Sequence, residues 1–207
     1  ELARWIAANE PDGAQLAVQR DEAARWPQRP LVSFIVPVYR VPSGILAAAL
    51  DSLAAQTYDH WEACVACAEE EGSENWQLLR ERAAQDARVR PLLLAANEGI
   101  SGNSNRALAQ ARGEFVALLD HDDALSPSAL HAIVARINEA PELDFLYTDK
   151  DSIDETGQHR QYALFKPEFS PEMLYSVNYL THLNVMRRSL VEAILLASNV
   201  SFTQSCS

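Results

Sequence analysis

The chain has 207 residues, of which 48% are hydrophobic, and its 17 Lys and Arg against 29 Asp and Glu give a formal net charge of −12. This length allows one domain with a sizeable core, and the composition is that of a folded globular protein. The acidic balance argues against a general nucleic-acid or anionic-membrane surface, since both need basic patches. No apolar run is long enough to span a bilayer, no signal-peptide pattern is present and the three cysteines are too few for a disulfide framework, so we expect a cytoplasmic protein.

The first 29 residues are richer in alanine and in charged residues than the rest of the chain. We predict one or two helices here, interrupted around Pro11-Asp12-Gly13. The proline-bounded segment from Pro27 to Pro30 marks the end of this region. The chain is therefore expected to consist of an N-terminal helical arm, residues 1–29, that packs on a main domain, residues 30–207.

The main domain alternates between short apolar runs, which suit buried strands, and segments with helical periodicity. We predict strands at Leu31–Val38, where Pro37 ends the strand, and at Trp61–Cys67, Arg88–Ala95, Phe115–Leu119 and Leu143–Thr148. We predict helices at Gly44–Gln56, from a cap at Ser73 to about Ala87, near Arg106–Arg112 and at Ser126–Ala140. This alternation predicts an α/β fold with a mainly parallel sheet and helices on both faces.

The fourth predicted strand ends in three carboxylates, Asp120, Asp122 and Asp123. Clustered carboxylates repel one another unless a cation lies among them, and a hard ion such as Mg²⁺ or Mn²⁺ suits oxygen ligands. Because ligands of open α/β sheets bind beyond the carboxyl ends of the strands, a site for a metal and a diphosphate is one interpretation. The alternative is that these residues only precede the next helix, with Ser126 as its N-cap and Pro127 in its first turn.

Three further features have both a functional and a structural interpretation. The segment Asn97–Asn105 joins a strand to a helix, and its glycines permit close approach of an anion, but it can also be a plain turn. Cys64 and Cys67 have the spacing of a redox or zinc motif but lie on a predicted strand, so we expect ordinary buried thiols. A lone histidine such as His182 is more often a hydrogen-bonded structural residue than a metal ligand.

Six segments match a known family in order and spacing: Val32–Tyr39, Leu50–Tyr58, Asn97–Asn105, Gly113–Asp123, Tyr147–Asp151 and Phe165–Pro171. Together they resemble the inverting family-2 glycosyltransferases with the GT-A fold. Within that family the chain is most similar to bacterial enzymes that build O-antigen and other surface polysaccharides, including rhamnosyltransferase-like members. The resemblance runs from about Pro30 to Leu190.

The resemblance implies a role for each matching residue. Pro37, Tyr39, Asn105 and Asp120 would bind the nucleotide sugar. Asp120, Asp122 and Asp123 would form the catalytic acidic motif, with Asp122 as the ligand of Mn²⁺ or Mg²⁺ and Asp120 nearer the ribose. The segment Asp149–Asp151 would lie towards the sugar and the acceptor.

The chain departs from the family pattern in two places. Where family members carry an Asp pair after the second strand, one of which contacts the base, this chain has Cys67 and Ala68. A neighbouring carboxylate, from Glu69, Glu70 or Glu71, could substitute. From Leu195 onward the sequence no longer resembles the family, so we expect a chain truncated on its acceptor side, and the general base is not identified.

The function that the resemblance implies is metal-dependent transfer of a sugar from a nucleotide-diphosphate sugar to a hydroxyl acceptor in bacterial surface polysaccharide synthesis. The acceptor would be a saccharide or a lipid-linked saccharide. Peripheral association of the protein with the inner face of the cell membrane is compatible with such an acceptor. Two alternatives stay open: an inactive or non-catalytic nucleotide-sugar-binding fragment, and an aspartyl phosphohydrolase, which also uses Asp-x-Asp after a strand. The second is disfavoured because such sites usually follow the first strand of the fold, whereas Asp120 follows the fourth.

Overall fold

A computed structural model describes residues 2–154, 157 and 159–198 of the chain. The helices are α1 (Leu2–Asn9), α2 (Gly13–Ala23), α3 (Ser43–Ala54), α4 (Glu74–Gln85), α5 (Gly99–Leu108), α6 (Ala129–Glu139), α7 (Pro171–Leu174) and α8 (Arg188–Ser198). The strands are β1 (Val32–Val38), β2 (Trp61–Cys67), β3 (Val89–Leu93), β4 (Phe115–Leu118), β5 (Phe145–Tyr147), β6 (Lys150–Ile153), β7 (Arg160–Leu164) and β8 (Asn184–Arg187).

Within the described part of the chain, six strands form the main sheet in the order β3-β2-β1-β4-β8-β5. β1 is parallel to β2 and β4, and β2 is parallel to β3, whereas β8 is antiparallel to both of its neighbours. Every residue of β1 and β2 is buried, as expected for continuous apolar runs in the centre of a sheet. The predicted α/β fold with a mainly parallel sheet is confirmed.

Two apolar clusters lie on opposite faces of the sheet. One contains Leu50 of α3, Leu79 of α4 and Ile133 of α6, and the other contains Ala107 of α5 and Val191 of α8. Both faces of the sheet are therefore covered by helices, as predicted. This arrangement leaves the carboxyl ends of the parallel strands as the open edge where a ligand can bind.

Three sequence-based expectations were wrong. Pro37 was expected to end β1, but it lies inside the strand, which continues to the predicted limit at Val38. The backbone nitrogen of Pro37 faces β4, and the pairing of β1 with β4 already ends at Ile35 and Leu118, so the missing N–H costs no ladder hydrogen bond. The α6 helix begins at Ala129 rather than Ser126, and the amide oxygen of Gln56, at the end of α3, accepts its Leu130 N–H at 3.0 Å. β8, within a stretch predicted only as a polar and aromatic mixture, is a strand.

The polar segment before α5 is also more ordered than predicted. The helix spans Gly99–Leu108, so the predicted helix near Arg106–Arg112 starts about two turns too late. Two asparagines stabilise its beginning: the Asn97 side chain accepts the Gly99 N–H at 3.0 Å, and the Asn103 side chain accepts the Glu98 N–H at 3.1 Å. Asn and Ser disfavour helix interiors in isolation, but here these local hydrogen bonds offset that preference.

The N-terminal region forms two helices separated at the predicted interruption, with Asp12 and Gln15 in a capping box. Near the end of α2, Ala23 is buried in the core, and Glu22 contacts His131 of α6 at 3.1 Å. The α1 helix lies elsewhere, against β7. The arm thus contacts the rest of the molecule at two separate places, and the boundary at residue 30 stays a prediction.

Candidate functional site

Two cavities open where the parallel strands end. The first, of about 620 Å³, is bordered by the segments that follow β1, β2 and β3, and Tyr39, Glu69 and Asn97 are among its lining residues. The second, of about 530 Å³, is bordered by the segment that follows β4, by Thr148–Ile153 and by His182. Both cavities therefore lie at the carboxyl ends of the parallel strands, where the sequence pattern predicted a ligand site.

The 620 Å³ cavity contains Tyr39, as expected from the sequence, and is called the donor pocket after the role that the family resemblance implies for this residue. The guanidinium of Arg40 lies 5.0 Å from the centre of the Tyr39 ring. Glu69 Oε1 accepts hydrogen bonds from the Arg40 backbone N–H at 2.8 Å and from Asn75 Nδ2 at 2.9 Å. A carboxylate is thus held in the pocket immediately after Cys67 and Ala68, where the family pattern has its Asp pair.

The 530 Å³ cavity, hereafter the acidic cavity, takes most of its charge from two segments. Asp122 and Asp123 contribute from the turn after β4, and Asp149 and Asp151 contribute from the segment around β6. The turn closes with a hydrogen bond from the Asp123 N–H to the Asp120 carbonyl at 3.2 Å. Residues far apart in sequence therefore present carboxylates to one volume, which suits binding of a cation with a polar ligand.

Asp120, Asp123 and His182 form a compact group beside this cavity, with one ligand atom from each lying within 4.8 Å of the others. His182 Nδ1 lies 2.7 Å from Asp123 Oδ2 and 3.7 Å from Asp120 Oδ2. The hydrogen bond to Asp123 raises the pKa of His182. Burial, and then the neighbouring carboxylate of Asp123, raise the pKa of Asp120. Both burial and a neighbouring carboxylate disfavour the charged form of Asp120.

These donors fit a divalent metal. Two carboxylate oxygens and one imidazole nitrogen suit Mn²⁺ better than Mg²⁺, which prefers an octahedron of oxygens. Asp122, the predicted ligand, lies outside the group of three but is exposed and lines the acidic cavity. Its assignment as a metal ligand stays a prediction.

His182 is held by contacts that the sequence did not reveal. Lys166 donates through Nζ to the carbonyl of Thr181 and, at 2.8 Å, to that of His182. The Leu183 N–H donates to Thr148 Oγ1 at 3.0 Å. Burial lowers the pKa of Lys166 to about 8. The only sequence signal for this set was that Lys166 and Thr148 lie in segments matching the family.

The remaining predicted residues are placed less directly. Pro37 is buried, and its carbonyl lies 2.9 Å from His121 Nδ1, which connects β1 to the acidic turn. Asn105 lies inside α5 and lines neither of the two cavities described here, whereas Asn97, at the other end of the same segment, lines the donor pocket. The nucleotide-binding roles of Pro37 and Asn105 stay predictions.

The cysteine pair is not part of either recess. Cys64 and Cys67 are buried free thiols that belong to the apolar clusters on opposite faces of the sheet. Burial raises the pKa of Cys64 to about 12 and that of Cys67 to about 11. The interpretation as structural thiols is confirmed, and Cys206 lies outside the described residues.

Comparison with known proteins places these observations in a family. The model of glycosyl transferase family 2 matches residues 33–195. The O-antigen biosynthesis protein RfbC of Myxococcus xanthus is 36% identical over 191 residues, which cover 92% of this chain and 15% of RfbC. The chain thus spans less than a fifth of that relative.

Solved structures show the same fold. The structure of S. aureus TarS 1–349 in complex with UDP superposes with a TM-score of 0.60 at 25% identity, covering 83% of this chain and 50% of TarS 1–349. The mannosyltransferase PcManGT of Pyrobaculum calidifontis, in complex with GDP-Man and Mn²⁺, has a TM-score of 0.58 at 18% identity, covering 86% of this chain and 54% of that one. No helix in the described part of the chain combines the length and apolar character needed to cross a membrane.

Proposed function

This chain belongs to glycosyl transferase family 2, and on that premise we propose that it transfers a sugar from a nucleotide-diphosphate sugar to a hydroxyl acceptor, with inversion, in bacterial surface polysaccharide synthesis. The observation that carries the proposal is the position of the donor pocket and the acidic cavity at one edge of the sheet. A donor bound there can place its base near Tyr39 and its diphosphate near the acidic turn. The similarity to RfbC supports the polysaccharide context.

The donor pocket would bind the nucleotide. Tyr39 offers an aromatic face, and Glu69 offers a carboxylate fixed by two hydrogen bonds. We propose that Glu69 replaces the base-contacting Asp of the family. A rigid carboxylate can accept hydrogen bonds from a base without the entropy cost of ordering it on binding.

The acidic group would hold Mn²⁺ or Mg²⁺. We propose Asp120, Asp123 and His182 as its ligands, with Asp122 able to join them from the exposed side. When bound, the ion would neutralise the charge that develops on the departing diphosphate. Asp149 and Asp151 lie across the same cavity, which suits the sugar and the acceptor hydroxyl, from a saccharide or a lipid-linked saccharide.

Calorimetric titration tests the site. Wild-type protein is expected to bind UDP or GDP only when Mn²⁺ or Mg²⁺ is present. Asp123→Asn should weaken binding of Mn²⁺ by at least about tenfold, since it removes a charged donor. Asp120→Asn and Asp122→Asn, measured in parallel, show which of the two contributes to the same ion.

Asp21→Asn is the matched control, because Asp21 is an exposed carboxylate on α2 that lines neither described cavity. It should bind like the wild type. Nucleotide binding that does not depend on metal, or Asp120→Asn and Asp123→Asn variants with wild-type affinity, would show that the site is assigned wrongly.

A turnover assay decides between the enzyme and a non-catalytic binding module. The replacement of the Asp pair by Cys67 and Ala68 favours the second function. UDP-GlcNAc and GDP-mannose are suitable probes, with release of the nucleotide as the readout. Nucleotide release supports the transferase, whereas metal-dependent binding without release supports the binding module.

A further inference from the structure

One side of the acidic cavity is formed by a hairpin, β6–β7, that is separate from the main sheet. β6 and β7 pair only with each other among the described strands. Residues of β6, including Lys150 and Asp151, line the cavity. An isolated two-stranded hairpin is marginally stable in water unless another element packs on it. The position of this cavity side therefore depends on what the hairpin packs against.

The helix that packs on β7 is α1, from the N-terminal arm. The Trp5 ring of α1 lies 5.0 Å from the ring of Phe165, the residue that follows β7. Immediately after the helix, Glu10 Oε1 lies 2.6 Å from a guanidinium nitrogen of Arg160, the first residue of β7. Residues of α1 and the residue that follows it thus contact the chain near both ends of β7.

Arg160 also contacts a residue that lines the acidic cavity. Its Nε donates to Asp151 Oδ2 at 2.7 Å, and the Asp151 side chain is only 14% exposed. One guanidinium therefore joins a carboxylate of the arm to a carboxylate of the acidic cavity. The planar fork of arginine allows both contacts at once, whereas the single ammonium of lysine does not reproduce this geometry.

The backbone opposite Asp151 is irregular in a way that fits a functional position. The pairing shifts register between Lys150 and Ser152, with two residues of β7, Tyr162 and Ala163, opposite Asp151. Tyr162 has a positive φ of 53°. Bulges of this kind re-aim side chains and are frequent beside active sites. The bulge thus lies directly opposite Asp151, and the contact that holds the Asp151 carboxylate comes from Arg160 of the same bulged strand.

We propose that Arg160 is a positioning residue for the acceptor side of the site, holding Asp151 in the cavity, and that α1 supports this arrangement through Glu10 and Trp5. The functional part of the proposal rests on the transferase function proposed above. The arm is accordingly a part of the site and not only an attachment to the domain.

Hydrogen–deuterium exchange tests the structural part without activity. In the full chain, Arg160→Met should increase the exchange rates of the β6 and β7 amides by up to about tenfold, since it removes two partly exposed ion pairs. Trp5→Ala should have a similar effect. Arg136→Met, which removes an exposed ion pair with Glu139 on α6, is the control and should leave the hairpin unchanged. Unchanged hairpin exchange in both Arg160→Met and Trp5→Ala overturns the proposal.

A charge swap separates positioning from stability. Glu10→Arg combined with Arg160→Glu keeps opposite charges at positions 10 and 160 but places a carboxylate against Asp151. This double variant should recover the part of the hairpin protection that depends on α1, relative to Arg160→Glu alone, while nucleotide-sugar turnover, measured with UDP-GlcNAc and GDP-mannose, stays about tenfold below wild type, as it should in Asp151→Asn. Binding of UDP or GDP with Mn²⁺ should be unchanged in Trp5→Ala and Arg160→Met, since neither side chain lines the two described cavities.

The outcomes distinguish the two proposals. If wild-type protein turns over neither probe, the transferase function fails, and the exchange data still decide whether α1 and Arg160 hold the hairpin. If turnover is present and the swapped variant retains it at the wild-type level, Arg160 does not position Asp151 and the inference is wrong.

Discussion

The substitution Glu62→Gln should destabilise the fold strongly while leaving the site intact. Glu62 lies near the start of β2, away from the edge that carries the cavities, and is 2% exposed. Its Oε1 accepts from Ser33 Oγ and from the Arg112 backbone N–H, both at 2.7 Å. Its Oε2 accepts from Arg90 at 2.7 Å and from the Arg112 guanidinium at 2.9 Å and 3.0 Å.

The magnitude follows from the pKa. Burial alone would raise the pKa of Glu62, but the hydrogen bonds from Ser33, Arg112 and Arg90 outweigh it and lower the pKa from 4.5 to about 2. A difference of this size between the unfolded and folded chain corresponds to roughly 3 kcal/mol of stability. Because the folded pKa is depressed, this stability is fully present above the unfolded value of 4.5 and is lost as the pH falls towards 2. Glutamine keeps the shape but leaves two arginines without their buried counter-charge.

Urea unfolding followed by tryptophan fluorescence at pH 7 and at pH 3 measures the effect. Glu62→Gln should lose roughly 3 kcal/mol at pH 7 and clearly less at pH 3, where the wild type has itself lost part of the contribution. The control Glu139→Gln, in an exposed ion pair with Arg136, should stay within about 0.5 kcal/mol of wild type. A loss below about 1 kcal/mol at pH 7, or an equal loss at both pH values, would refute the assignment of the stability to the ionised carboxylate.

Two further predictions concern the core. Gly113→Ala should cost about 1–3 kcal/mol in urea unfolding, because its Cβ would lie 2.5 Å from the Leu31 carbonyl and 2.7 Å from Ser33 Oγ. Gly44→Ala, at an open position in α3, should be neutral or stabilising, and equal effects of the two substitutions would contradict the steric argument. Cys64 and Cys67 should resist iodoacetamide at pH 8 in the native protein and react in urea, because burial raises the pKa of both thiols. Mass-spectrometric mapping reads this out, and labelling of either thiol in the folded state would contradict it.

The sequence predicted the central strands well because their signal is local. β2 was predicted with its observed limits and β1 to within one residue, since an uninterrupted apolar run in a parallel sheet is buried on both faces. The start of α6 could not be predicted in this way. Its first turn is completed by Gln56, which is distant in sequence, rather than by Ser126. β8 was missed because only Val185 of its four residues is buried, and no apolar run marks it.

For the site, too, the sequence shows which residues are present but not which of them lie together. That carboxylates follow β4 is visible in the sequence, but which of them share a ligand is not. Strand alternation would place Asp120 and Asp122 on one side, because their separation is two residues. The chain instead turns after β4, and the hydrogen bond from the Asp123 N–H to the Asp120 carbonyl brings residues three apart together.

His182 then completes the group from a segment about sixty residues further along the chain, so only the tertiary structure could select it. The turn after β4 therefore decides between two ligand sets: Asp120 with Asp122, or Asp120 with Asp123 and His182. If Asp122→Asn abolishes Mn²⁺ binding while Asp123→Asn retains it, Asp122 is the ligand, as the sequence predicted, and Asp123 is not. If Asp123→Asn has the larger effect, the ligands are those that the turn brings together.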